Sequence, residues 1–435
     1  MIPAATPRTA FGRALRNVSW LLIAKVVGAV LSLFYLAIVT RSLGVARFGE
    51  FSLILGTAQA AAALVGFETW QVLVRFGMAH LQRGRADALR RLVRFCIALD
   101  GAGALIGCAL AALALSVMRW HFGWPATLAR DAMLFCAVLL LSIRSTPIGI
   151  LRLHDRYARG AIADVVTPVA RFAGALVVVQ QQPTVRAFLI AWAVAEILTA
   201  AAYWISAARV MPRMIGSCRA AGDVKTENAG LWRFAWRTNL NSALGPSSRQ
   251  FAVILVGFIL GPAAAGGYRL AHQLSQALVR LSELFSRAVF PEIARAHSGD
   301  LTQDLATLSR QSARLAIGAG LIACLAVPAF GNIVLGLVAG ASYLGAYWLL
   351  VLLGFAAGLN IMAVGFEPVL LGTGREKHVL RIRIASAVIL FGTMVPLMLL
   401  VGVTGAGIAA LLSAALALGL LVAARTWAAS HHARG

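Results

Sequence analysis

Acidic side chains are scarce in this chain: 16 Asp and Glu stand against 39 Lys and Arg over 435 positions, a net charge of +23. Cysteine is scarce too. Cys96, Cys108, Cys136, Cys218 and Cys324 contain no C-x-x-C pair and fall mostly inside apolar runs, so they read as packing residues and exclude a disulfide framework or zinc cluster. The histidines form no H-E-x-x-H, and Gly372-Thr-Gly-Arg-Glu-Lys377 lacks the strand and the closing Ser or Thr of a phosphate-binding loop. With no catalytic constellation, the chain is expected to be no enzyme and to need no cofactor or metal. Polar connections are short, which leaves no room for a soluble domain.

What the chain has in abundance is apolar sequence. Hydrophobic residues make up 60% of it and the mean hydropathy is +0.82, more than a water-soluble core requires. About twelve runs reach the roughly 20 residues a helix needs to cross about 30 Å of hydrocarbon. The expected fold is an all-α polytopic membrane protein. Its parts are a tail at 1–17, helices 1 to 6 at 18–208, a basic linker at 209–233, helices 7 to 12 at 234–427 and a second tail at 428–435.

In a soluble protein, such charge would suggest nucleic acid; here its distribution argues otherwise. When loops are assigned alternately, most Lys and Arg collect on the side that holds both termini, which places the termini in the cytoplasm. The clusters Arg83, Arg85, Arg90, Arg91, Arg94 and Arg209, Arg213, Arg219, Lys225 are expected to face anionic lipid headgroups, and no nucleic-acid partner is expected.

The chain is also written twice. Leu43-Gly-Val-Ala-Arg-Phe-Gly-Glu-Phe-Ser-Leu53 and Leu260-Gly-Pro-Ala-Ala-Ala-Gly-Gly-Tyr-Arg-Leu270 share the pattern L-G-x4-G-x-[FY]-x-L at an offset of 217 residues. Pro147 with Asp155-Arg156-Tyr157, and Pro368 with Glu376-Lys377-His378, repeat at an offset of 221. Six spans separate the copies, so both halves enter the membrane in the same sense, as parallel repeats of a transporter do. Gly44, Gly49, Gly261 and Gly266 are expected to turn the chain tightly between helices.

RSLGVARFGEFSL, ILGPAAAGGYRLAHQL with the later VFPEIAR, and LLGTGREK before an apolar run resemble the polysaccharide transporters of the multidrug/oligosaccharidyl-lipid/polysaccharide (MOP) superfamily, the O-antigen flippase type. The resemblance implies two six-helix lobes around a central cavity, as in multidrug (MATE-type) relatives. It further implies movement of a polyprenyl-pyrophosphate-linked oligosaccharide across a bacterial inner membrane, with a glycan polymerase as a possible partner. A multidrug or organic-cation antiporter on the same fold is the nearest rival; a membrane-embedded glycan polymerase is a further one.

Charges inside the apolar runs nominate the site, because each costs on the order of 2.5–3.5 kcal/mol at mid-bilayer and demands a partner or a wet cavity. On helix 8, Arg269, His272 or Gln273, Gln276, Arg280, Glu283 and Arg287 recur at steps of three and four and form one stripe. In the first half, Gln59 falls on Gln276. Arg249 on helix 7, after Gly245-Pro246, and Lys25 on helix 1 are read as members of the same cationic wall. Lys25, Arg249, Arg269, His272, Gln276 and Arg280 are therefore the expected substrate-binding residues, with Glu283 or Asp100 as carriers of a coupled proton. Depth matching also predicts the pairs Asp100–Arg144 and Arg171–Glu196.

Overall fold

The computed structural model describes the backbone of residues 7–212, 222–277, 305–364 and 376–432, and the side chains of 27–212, 222–239, 248–277, 314, 316–363 and 381–423. Among these residues the regular structure is entirely helical. Contacts divide the chain into two compact units, one of residues 1–43 and 53–251, the other of residues 44–52 and 252–435.

The first unit begins with α1 (Pro7–Val65), which turns at Gly44, where φ is 69°. Candidate membrane-crossing helices include a stretch of 56 residues, Val27–Gln82. At 1.5 Å per residue this would measure about 84 Å, so the turn at Gly44 makes it two crossings. There follow α2 (Thr69–Gln82), α3 (Ala86–Phe122), α4 (Ala126–Leu141), α5 (Ser145–Leu153), α6 (Tyr157–Gln180), α7 (Val185–Val210), the short α8 (Val224–Glu227) and α9 (Leu231–Leu260), whose residues from Ala252 on belong to the second unit.

Two of these crossings are broken. The apolar run expected at 128–150 is interrupted between α4 and α5, and Gly66-Phe67-Glu68 interrupts the helix that runs from α1 into α2. Ser145-Thr146-Pro147 explains the first break. Hydroxyl residues and proline suit the opening turn of a helix, where an unpaired N–H costs nothing, better than its interior. The freed Ile143 carbonyl accepts the Trp204 indole N–H at 2.9 Å, so the break is paid for inside the protein.

The short α8 and its C-cap Asn228 pin the linker to the first unit. Glu227 pairs with Arg91, and Asn228 Oδ1 meets His80 Nε2 at 2.9 Å. Beneath them Leu231 and Ala235 of α9 join Val72, Leu92, Val93 and Cys96 in one buried cluster. Two arginines expected at the headgroups are thus engaged within the protein, Arg91 with Glu227 and Arg90 with Asp87 at 3.1 Å. Arg213 and Arg219 lie outside the described residues.

The second unit contains α10 (262–277), α11 (Leu305–Ala339), a short 3-10 turn at Ala341–Ala346, α12 (Tyr347–Val364), α13 (Glu376–Val401) and α14 (Val403–His432). Lipid-like surroundings give no hydrophobic reward for joining helices, so close backbone approach has to serve. Gly320 and Gly358 supply it between α11 and α12: a Cβ on Gly358 would stand 2.9 Å from the Gly320 carbonyl oxygen.

The strip 44–52 belongs to this unit because the two copies of the repeat pack on each other. A Cβ on Gly49 would lie 1.9 Å from the Pro262 carbonyl oxygen, and one on Gly266 would lie 3.2 Å from the Val45 carbonyl oxygen. Val45 and Pro262 are themselves equivalent positions, so the contact is nearly symmetric. Gly44 and Gly261, with φ of 69° and 91°, turn the chain as expected. Gly49 and Gly266 do not: both sit inside helices, and their role is to let one copy approach the other.

Candidate functional site: charged groups within the membrane helices

In the first unit, α6 and α7 run antiparallel and meet along a polar seam. Tyr203 donates its hydroxyl to Asp164 Oδ1 at 2.5 Å. One turn along, Thr167 and Thr199 hydroxyls meet at 2.8 Å. Thr199 donates to the Ala195 carbonyl at 2.7 Å, so Thr167 is the donor between the two. One turn further, Arg171 Nη2 donates to Glu196 Oε1 at 2.6 Å. The steps of three and four residues put each set on one helix face. Beyond the seam, Gly174 permits closeness, since a Cβ there would lie 2.9 Å from that of Ala191.

Glu196 is the deepest carboxylate of the seam, with a side chain 2% exposed, about 17 Å along α7 from Val185. It serves two arginines. Arg144, at the break between α4 and α5, donates Nη2 to Glu196 Oε2. Arg171 is enclosed more fully: its guanidinium lies 5.3 Å from the Trp192 ring centre, and its Nη1 donates to the Tyr35 hydroxyl at 3.4 Å. The triad carries a net charge of +1.

Asp100 was expected opposite Arg144 and is elsewhere. Its Oδ2 accepts from the Thr69 hydroxyl at 2.9 Å, the Thr146 hydroxyl at 2.6 Å and the Thr146 N–H at 3.2 Å. It thereby joins the first turns of α2 and α5, where unpaired N–H groups and the positive ends of helix dipoles favour an anion. Depth matching failed here because it treated 128–150 as one straight helix. The break turns Arg144 toward α7 and offers Asp100 neutral donors instead. The Arg171–Glu196 pair is found where the sequence placed it.

The other nominated residues are spread over both units. Arg269 is 6% exposed, and its Nη1 donates to the Ser52 carbonyl at 3.3 Å, joining two equivalent positions of the repeat. His272 is half-buried with its ring stacked near Tyr268 at 6.3 Å, and Gln276 and Gln59 are half-buried. Arg249 on α9 is exposed. Arg280, Glu283 and Arg287 lie outside the described residues, as does the side chain of Lys25. Sequence reading missed Asp164, Thr167, Thr199 and Tyr203 as a set. The signal was D-x2-T-x3-R on one helix facing E-x2-T-x3-Y on the next, legible once the antiparallel register is known.

Comparison with known proteins speaks to the family and the fold. Residues 14–297 match the family described as polysaccharide biosynthesis protein. The inner membrane protein YghQ of Escherichia coli (strain K12) is 30% identical over 349 residues, covering 78% of this chain and 96% of that protein. Among solved structures, the lipid II flippase MurJ in an inward closed conformation superposes with a TM-score of 0.67 at 9% identity, over 93% of this chain and 87% of that one. An inward-facing multidrug resistance MATE family transporter of the MOP superfamily gives 0.65 at 15% identity, over 92% and 95%. At such identities these two likenesses speak for the fold, and the fold they speak for is the expected all-helical bundle of about twelve spans. With a family match over most of its length and a 30%-identical relative, the chain belongs to the polysaccharide biosynthesis protein family, with the fold of the MOP superfamily.

Proposed function

We propose that the protein is an inner-membrane flippase that carries a polyprenyl-pyrophosphate-linked oligosaccharide from the cytoplasmic to the periplasmic leaflet by alternating access, with both termini cytoplasmic. Family membership supports the glycan half of this reading. The lipid-phosphate half is supported by one observation above others: a single buried carboxylate, Glu196, serves two arginines, so this triad offers a ligand a cation rather than an anion. In this reading, Arg249, Arg280 and Lys25 meet the pyrophosphate, His272 and Gln276 contact the sugar, and Asp100 or Glu283 carries a coupled proton. Arg269 contributes through the backbone it holds.

Deletion of the gene followed by leaflet-selective labelling of lipid-linked sugar tests the proposal. Accumulation in the cytoplasmic leaflet is the expected result. Unpolymerised units gathering on the periplasmic side would overturn it in favour of a polymerase.

A further inference from the structure

We infer that Arg144 is an anion-binding side chain of the first unit, a subsite for the phosphate of the carried lipid, and that Glu196 holds its guanidinium ready while competing with that phosphate for it. The inference rests on the flippase reading and adds a residue and a mechanism of capture to it.

The two arginines on Glu196 are not equivalent. Arg171 is 14% exposed, lies against Trp192, and spends Nη2 on Glu196 and Nη1 on Tyr35. It is committed to the packing of α6 and α7. Arg144 has a side chain 31% exposed and makes a single bond, Nη2 to Glu196, leaving Nη1 and Nε without a partner among the described residues. An arginine presents five N–H donors in a rigid fork suited to phosphate, so most of this fork is unspent.

Position decides what the spare donors face. Arg144 begins α5, which runs nine residues to Leu153, about 14 Å, so the guanidinium reaches the depth of the acyl chains. Unpaired guanidinium N–H groups are costly against hydrocarbon, so an arginine held at this depth gains from any anion that reaches them. Arg144 stands at a break with φ −126° and ψ −18°, outside regular helix, and is therefore not confined to a helix face. A carboxylate with two cations loses less on releasing one than a carboxylate with a single partner would. Glu196 keeps Arg171 when Arg144 turns to a phosphate, and no charge is stranded.

The test uses the full-length protein in nanodiscs of zwitterionic lipid, titrated with farnesyl pyrophosphate and, separately, with farnesol and with phosphatidylglycerol as competitor. Wild type is expected to prefer the pyrophosphate over the alcohol. Arg144→Gln is expected to weaken pyrophosphate binding by about tenfold to a hundredfold, the value of charge-assisted hydrogen bonds. Arg144→Lys should fall between the two, because it keeps the charge and loses the fork. Glu196→Gln should bind the pyrophosphate more tightly than wild type, an outcome that a merely structural carboxylate would not give. Gel-filtration profiles that match wild type confirm folding. If Arg144→Gln stays within twofold of wild type, the inference falls while the flippase reading stands. No preference for pyrophosphate in wild type would remove both. Equal displacement by phosphatidylglycerol would assign the subsite to bulk anionic lipid and overturn its link to the cargo.

Discussion

Stability can separate the two arginines independently of any ligand. Glu196→Ala strands Arg171, whose side chain is 14% exposed, as an unpaired charge among Trp192, Tyr35 and the α6–α7 packing. Removing one partner of a buried pair costs about 3–5 kcal/mol. Arg144→Ala takes away the more exposed partner, 31% against 14%, and leaves Arg171–Glu196 whole, so its cost belongs with partly exposed pairs, about 1 kcal/mol. For a unit of this size each kcal/mol lowers the melting temperature by about 2–4 °C, which puts Glu196→Ala about 6–20 °C below wild type and Arg144→Ala about 2–4 °C below. Arg171→Ala should fall between, since Glu196 retains Arg144. Thermal unfolding of detergent-purified protein, followed by tryptophan fluorescence at one scan rate, reads all three. Arg144→Ala melting as low as Glu196→Ala would refute the reasoning, because it would mean that both arginines are structural.

Three further outcomes follow from the geometry. Asp100→Ala removes the shared acceptor of Thr69 and Thr146, leaving the Thr146 N–H and one of the two hydroxyls, which lie 3.3 Å apart, without it, and should cost about 2–3 kcal/mol, whereas Asp100→Asn keeps an acceptor and should cost less than half of that in the same melting assay. Gly49→Ala places a methyl group 1.9 Å from the Pro262 carbonyl oxygen and should abolish stable insertion, while Gly266→Ala, facing backbone at 3.0–3.2 Å, should leave protein that is recoverable but destabilised; equal yields of the two would contradict the close approach. The Arg91 guanidinium hydrogen-bonded to Glu227 holds that carboxyl below its usual range, so the linker's anchorage is complete above the ordinary glutamate pKa of about 4.3 and is lost as pH falls through the lowered value. Hydrogen exchange at residues 222–228 should rise on acidification in wild type and be high at every pH in Arg91→Ala.

Much of the fold was legible because it depends on quantities that sequence displays directly. Apolar run length fixes a crossing, and the spaced glycines of the repeat fixed where two turns lie, at Gly44 and Gly261. The helix breaks were harder to see, since an apolar run looks the same whether or not its helix is continuous. Ser145-Thr146-Pro147 was the available clue, a helix-opening signature placed inside a run. The site suffered from the same blindness. Arg171 and Glu196 lie on unbroken helices, where depth matching works. Arg144 lies at a break, where it does not, and so depth matching assigned it the wrong partner. Gly49 and Gly266 show a different limit: a glycine kept for a left-handed turn and a glycine kept for helix contact are the same letter, and only the neighbouring backbone tells them apart.

The self-contact of the duplicated motif restricts how this protein can diverge. Each copy is the other's mould, so a side chain enlarged at position 49 must be answered by backbone movement near 262, and a change at 266 by movement near 45. The paired positions are therefore under a shared constraint that neither copy would carry alone, and small residues are kept at both.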